Sequence, residues 1–187
     1  MDKKEMIQKA YDLGFKFEQD FRGCAQCAVA AVQDTLGLRN DHIYKAASGL
    51  AGGTGECIDG NCGGYSGSVM AMSTLFGRTR PEEGTTKGRE WKYDSFRMAA
   101  AIHDKYVEKY GDITCRGIQT KIYGRAYDLR KDEDKQGFRD AGAHELEDKC
   151  CAVVGDGARW AVELILDEIE KQGISLDEVK DMTCKSE

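Results

Sequence analysis

Apolar residues recur along this chain at spacings of three and four, the period of a helix with one buried face. Ile7, Ala10, Gly14, Phe17 and Phe21 share such a face, which predicts an amphipathic helix over residues 3–20. An alanine-rich stretch, Cys24 to Leu36, follows and stops at Gly37. Asp41 to Ser48 reads as a short helix, with Asn40 or Asp41 as N-cap and Gly49 ending it. Met70, Ser73 and Phe76 continue a face begun at Cys62, up to Gly77. Trp91, Met98, Ile102 and Tyr106 mark a longer helix running to about Tyr110. Val154, Ala158, Ala161 and Ile165 place another over 149–172, closed by Gly173. Ser175 to Met182 makes a last short turn. Nothing alternates with period two, so no strand is predicted. The expected architecture is an all-α, single-domain helical bundle over residues 1–187, with a short tail at 173–187.

Three stretches interrupt the periodicity. Residues 49–67 hold eight glycines and read as a flexible Gly/Cys-rich loop. Residues 77–90 contain the only proline and read as an exposed connection. Residues 126–149 carry thirteen charged residues of both signs, the composition of a solvated loop or of a surface helix with paired charges.

Charge narrows the function classes. With 33 acidic and 27 basic residues the formal charge is −6. A nucleic-acid binder would normally show a basic face, so none is expected. The N-terminus lacks an apolar core of signal-peptide length. The longest wholly apolar run, Cys27 to Val32, is far short of a membrane span. The chain therefore reads as cytoplasmic, with no membrane contact.

Cysteine changes the picture most. Eight in 187 residues is about twice the usual share, in a chain long enough to bury a core without disulfide staples. Such an excess points to metal binding or redox chemistry. Cys24, Cys62, Cys115 and Cys150 each fall near a predicted helix start in a different segment, with Asn61 the expected cap before Cys62 and Asp112 or Thr114 before Cys115. Helix N-termini present unpaired N–H groups and partial positive charge, which lower thiol pKa values and favour thiolates. Four thiolates could hold an iron–sulfur cluster or another thiolate-bound metal. They could also cycle as dithiols, with Cys62 the lead nucleophile because capping and glycine neighbours would give it activation and access. A zinc-stabilised interaction module is the third reading.

The remaining candidates are secondary. Cys27, Cys57 and Cys151 are auxiliaries, and adjacency to Cys150 leaves open which of 150 and 151 joins a site. Cys184 lies on the tail and reads as incidental. The C-x-x-C at 24–27 lacks the following histidine of a haem attachment site, and GGTGE lacks the lysine of a P-loop, so neither haem nor nucleotide is expected. His42, His103 and His144 stand alone, with His103 structural and His144 solvated.

Cys24-Ala25-Gln26, the Ser-Gly-Leu-Ala-Gly-Gly stretch at 48–53 and Cys62-Gly63-Gly64-Tyr65-Ser66-Gly67 together resemble the redox-active family named for its C-GCAxxG-C-C pattern. Cys115-Arg116 and Cys150 before Val153-Val154 continue the resemblance, which covers about residues 5–170. Gly64 stands where the hallmark C-G-A-x-x-G has alanine. The resemblance implies that Cys24, Cys62, Cys115 and Cys150 are the characteristic cysteines, with Cys151 an alternative to the last. A similar domain occurs in split-Soret cytochromes, whose haem attachment has no counterpart here. The resemblance names no substrate. The redox partner is unknown, and the alanine-rich and aromatic stripes could be buried in a homodimer.

Overall fold

The computed structural model describes the backbone of residues 1–184 and the side chains of residues 1–180. Among them are α1 (Lys3–Asp20), α2 (Cys24–Leu36), α3 (Asp41–Ala46), α4 (Gly63–Phe76), α5 (Thr86–Tyr110), α6 (Cys115–Tyr123), α7 (Asp132–Asp140), α8 (Cys150–Gln172) and α9 (Leu176–Cys184), with no strand among the described residues. The protein is all-α. No helix in the described residues is long and apolar enough to cross a membrane. Cys184, expected to be incidental, has its side chain outside the described residues.

Helix α8 is the centre of the bundle and packs against α1, α2, α4 and α5. Its face Val154, Ala158, Ala161 and Ile165 is buried as the periodicity requires. Phe76, Met72, Met98, Ile102 and Tyr106 fill the space between α4, α5 and α8. Burying side chains of this size contributes about 1.5–3 kcal/mol each. Helices α2 and α4 approach closely because position 67 has no side chain. A Cβ on Gly67 would overlap the Ala25 carbonyl.

Several boundaries differ from the periodic reading. Helix α3 stops at Ala46, and a 3-10 turn over Ser48–Leu50 carries the chain through Gly49. Helix α5 begins at Thr86 because Thr85 caps it, its hydroxyl accepting from Gly88 N–H at 2.9 Å. Polar residues before Trp91 hid that turn from hydrophobic periodicity. The charged stretch 126–149 contains α7, and its pairs include Arg125–Asp134 at 2.6 Å and Lys135–Glu56 at 3.0 Å. It is more than a solvated surface element, because Phe138 and Ala143 are buried beneath those charges.

Candidate functional site

Four helices begin around one cavity. Cys24, Cys115 and Cys150 are the first residues of α2, α6 and α8, and Cys62 is the N-cap of α4. All four line a cavity of about 400 Å³. The expected cap at Asn61 is displaced by one residue. The Cys62 N–H donates to the Ile113 carbonyl at 2.8 Å and Cys115 N–H to the Gly60 carbonyl at 3.0 Å, so residue 62 stays extended. That same pairing, with the isolated bridge between Asn61 and Thr114, sets Cys62 beside Cys115.

Helices α2, α4 and α8 start without a side-chain cap, whereas Thr114 caps α6. Their unpaired N–H groups are therefore left at the ends that carry the sulfurs. Backbone N–H groups of Gly52 and Gly63 face the Cys24 sulfur, and that of Gly64 faces Cys62. Gln119 Nε2 donates to Cys115 Sγ at 3.3 Å, and the Tyr123 hydroxyl to Cys150 Sγ at 3.4 Å. Each sulfur thus has at least one donor. Gly63 is required for the first of these contacts, since a Cβ there would overlap the Cys24 sulfur.

The expectation of lowered thiol pKa values is overturned. Burial pushes Cys24 up to about 12, with Glu18 adding to the rise and the Gly52 and Gly63 amides opposing it. Burial also raises Cys62, Cys115 and Cys150, and the Gln119 and Tyr123 hydrogen bonds only partly offset it. Desolvation of a charge exceeds the stabilisation that a helix end offers. Cys62 is only 8% exposed, so it has neither the activation nor the access assigned to a lead nucleophile.

The auxiliary cysteines stand outside the cavity. Cys27 is buried and donates to the Arg22 carbonyl at 3.1 Å. Cys57 points to the Gly55 carbonyl at 3.5 Å. Cys151 is fully buried and faces the His144 carbonyl at 3.7 Å, so of the adjacent pair it is Cys150 that reaches the cavity. All seven described cysteines are free thiols.

The glycine-rich segment is not a flexible loop. Residues 52–56, Gly-Gly-Thr-Gly-Glu, all have positive φ between 61° and 73°, and Ile58 follows at 59°. This is a left-handed turn, which costs a non-glycine residue roughly 1–2 kcal/mol. It is held by Ile58 N–H on the Gly52 carbonyl at 2.9 Å and Arg116 N–H on the Ile58 carbonyl at 2.8 Å. Asp59 accepts from Arg116 Nε at 2.8 Å, tying the turn to α6. The strain delivers the Gly52 N–H to the Cys24 sulfur. Glycine spacing marked the segment but not its handedness.

Sequence reasoning missed the opposite wall. Leu129, Lys135, Phe138, Arg139 and His144, all from the charged stretch, line the cavity with Glu18 and Arg22. Tyr123, Tyr127 and Phe138 pack together, and the Phe138 ring meets His144 edge-on at 5.7 Å. His144 is therefore not solvated. Its side chain is 12% exposed, and its Nε2 lies 3.6 Å from Glu18 Oε1. The available signal was a few large apolar residues among the charges.

Among the described residues, no three His, Cys, Asp or Glu side chains are gathered tightly enough to hold a single metal ion. The sequence model of one protein family, described as "Putative redox-active protein (C_GCAxxG_C_C)", matches residues 23–164. Searches of curated proteins and of solved structures return no match.

Proposed function

The chain belongs to this C-GCAxxG-C-C family of redox-active proteins, and from that premise we propose that Cys24, Cys62, Cys115 and Cys150 hold an iron–sulfur cluster used in electron transfer or sensing. The observation that carries the reading is the convergence of four cysteine-bearing helix starts on one cavity, each sulfur facing a hydrogen-bond donor. Donors to sulfur tune the potential of such clusters, and uncapped helix ends favour an anionic group. When bound, the cluster supplies a one-electron couple.

Burial keeps the free thiols protonated, and a bound cation reverses that preference by deprotonating coordinating thiols. Among the described residues no three of these side chains are gathered tightly enough around one point for a single metal ion. That arrangement supports a polynuclear group better than the single zinc ion of a structural module, with its Zn–S bonds of about 2.3 Å. The buried, raised thiol of Cys62 gives little support to a thiol–disulfide enzyme.

Anaerobically purified protein is expected to be coloured and to contain iron and acid-labile sulfide. Serine at position 24, 62, 115 or 150 should lower both contents, whereas Cys57→Ser should leave them unchanged. Colourless protein lacking iron and sulfide after anaerobic reconstitution overturns the proposal.

A further inference from the structure

The wall facing the thiols carries groups that four sulfur ligands do not use. The cavity has the volume of a small-molecule pocket. Arg22 and Arg139 are exposed where they line it, and among the described residues neither guanidinium has an ion-pair partner. Lys135 nearby is matched by Glu56 at 3.0 Å. Deeper in the wall, Glu18 is 4% exposed. Its Oε2 and the Nδ1 of His144 are both buried without a hydrogen-bond partner. Leaving such an atom unpaired costs about 1–3 kcal/mol, so the wall keeps unused bonding capacity beside the cavity. Glu18 Oε2 can only accept, so it would face a hydroxyl or N–H and not an anionic oxygen.

These groups discriminate between ligand chemistries. Two unpaired guanidiniums attract an anion and present forked N–H donors that match an oxyanion. His144 faces the Glu18 carboxylate through Nε2, which leaves Nδ1 as its unpartnered nitrogen. Glu56 is balanced by Lys135, so Arg22 and Arg139 outweigh the single carboxylate of Glu18 on this wall. A cation would meet those arginines, and an apolar ligand would leave every polar group unpaired.

The geometry points to a binding site for a small oxyanion, inorganic or carboxylate, between Arg22, Arg139 and His144 and in front of the four cysteines. It rests on the redox reading of those cysteines only for what the bound anion would encounter there. It makes the cavity a place where a substrate meets the redox group, rather than a closed housing for an electron carrier.

The test is calorimetric titration of the anaerobically purified full chain with phosphate, nitrite and acetate at constant ionic strength, with iron and sulfide measured on the same samples. Saturable binding of at least one anion is expected. Arg22→Gln and Arg139→Gln should each raise its Kd about tenfold, the effect of losing one charge-assisted hydrogen bond. Both side chains are exposed, so the variants should fold. Arg89→Gln, an exposed change on α5 outside the cavity lining, should leave Kd unaltered. Saturation by phosphate or nitrite alone assigns the inorganic class, and saturation by acetate alone the carboxylate class. Unsaturable binding, or a Kd that both cavity variants leave unchanged, overturns the site. Failure of binding in protein that carries iron and sulfide overturns this inference alone. Binding by protein that carries neither even after anaerobic reconstitution overturns the cluster reading alone.

Discussion

Asp156 and Glu18 are both acids buried in the helical bundle, Asp156 fully and Glu18 at 4% exposure, but they are partnered differently. Asp156, on α8, is surrounded by Lys109, by the Tyr110 hydroxyl and by Arg159, whose Nη2 lies 2.7 Å from Oδ1. These partners come from α5 and from the next turn of α8, so the carboxylate ties two helices together. Each acid has one buried oxygen without a hydrogen bond, Oδ1 of Asp156 and Oε2 of Glu18. Asp156 Oδ1 lies in an ion pair with Arg159, whereas Glu18, on α1, faces His144 at 3.6 Å and, among the described residues, pairs with no lysine or arginine. A buried acid ringed by cations and a hydroxyl is a structural joint. One on a cavity wall with no lysine or arginine paired to it is available for chemistry, because the fold has not surrounded it with counter-charge.

Removing each acid should expose that difference most directly. Asp156→Ala leaves Lys109 and Arg159 without their counter-charge. It should destabilise the protein by about 2–3 kcal/mol in urea unfolding, less than a wholly buried pair would lose because both cations reach solvent. The iron and sulfide content of the remaining folded protein should not change. An effect below about 1 kcal/mol would mean that Asp156 is not the joint described here.

Gly63→Ala acts on the cavity side. Its Cβ would overlap the Cys24 sulfur, and overpacking of this kind costs about 1–3 kcal/mol. Here the loss of stability should come with loss of iron and sulfide, a pairing that Asp156→Ala should not show.

A third, smaller effect is a pH dependence set by buried thiols. Burial holds Cys24 and Cys151 at about 12, against an ordinary value of 9.0. Between those values the folded protein keeps protons that the unfolded chain releases. The stability of metal-free protein should therefore be full below pH 9 and fall as pH rises toward 12. Urea midpoints measured across that window check the sign, and a midpoint that rises with pH contradicts it.

Glu18→Leu should have the smallest effect, a stability change within about 1 kcal/mol, because it replaces an incompletely paired carboxylate with an apolar side chain. A loss comparable to that of Asp156→Ala would remove the contrast between the two acids.

Much of the helical framework was legible in the chain because it rests on local rules. The face of α1 was visible in Ile7, Ala10, Gly14 and Phe17, and Gly37 and Gly173 stop α2 and α8 in left-handed C-caps. The placement of four cysteines at helix starts was legible for the same reason. What was not legible depended on neighbours distant in sequence. The raised thiols of Cys62 and Cys150 reflect burial by other helices, which outweighs the local helix-end effect on which the opposite expectation rested. His144 looked solitary because its partner, Glu18, lies far away in sequence on α1. The charged segment before α8 looked solvated because its few apolar residues, Leu129 and Phe138 among them, reveal a wall only once α6 and α8 are in place.

The sequence by itself determined the all-α class, most helix boundaries, and the four cysteines worth attention, since periodicity, caps and spacing act within a turn or two of the chain. Only the tertiary structure decided that those cysteines share one cavity, that Cys150 rather than Cys151 faces it, and that Gly52 reaches the Cys24 sulfur through a left-handed turn. It also placed Glu18, His144, Arg22 and Arg139 along the same cavity. Each of these depends on burial and on the meeting of distant segments. Desolvation and long-range contact are properties of the packed molecule, and no local pattern carries them.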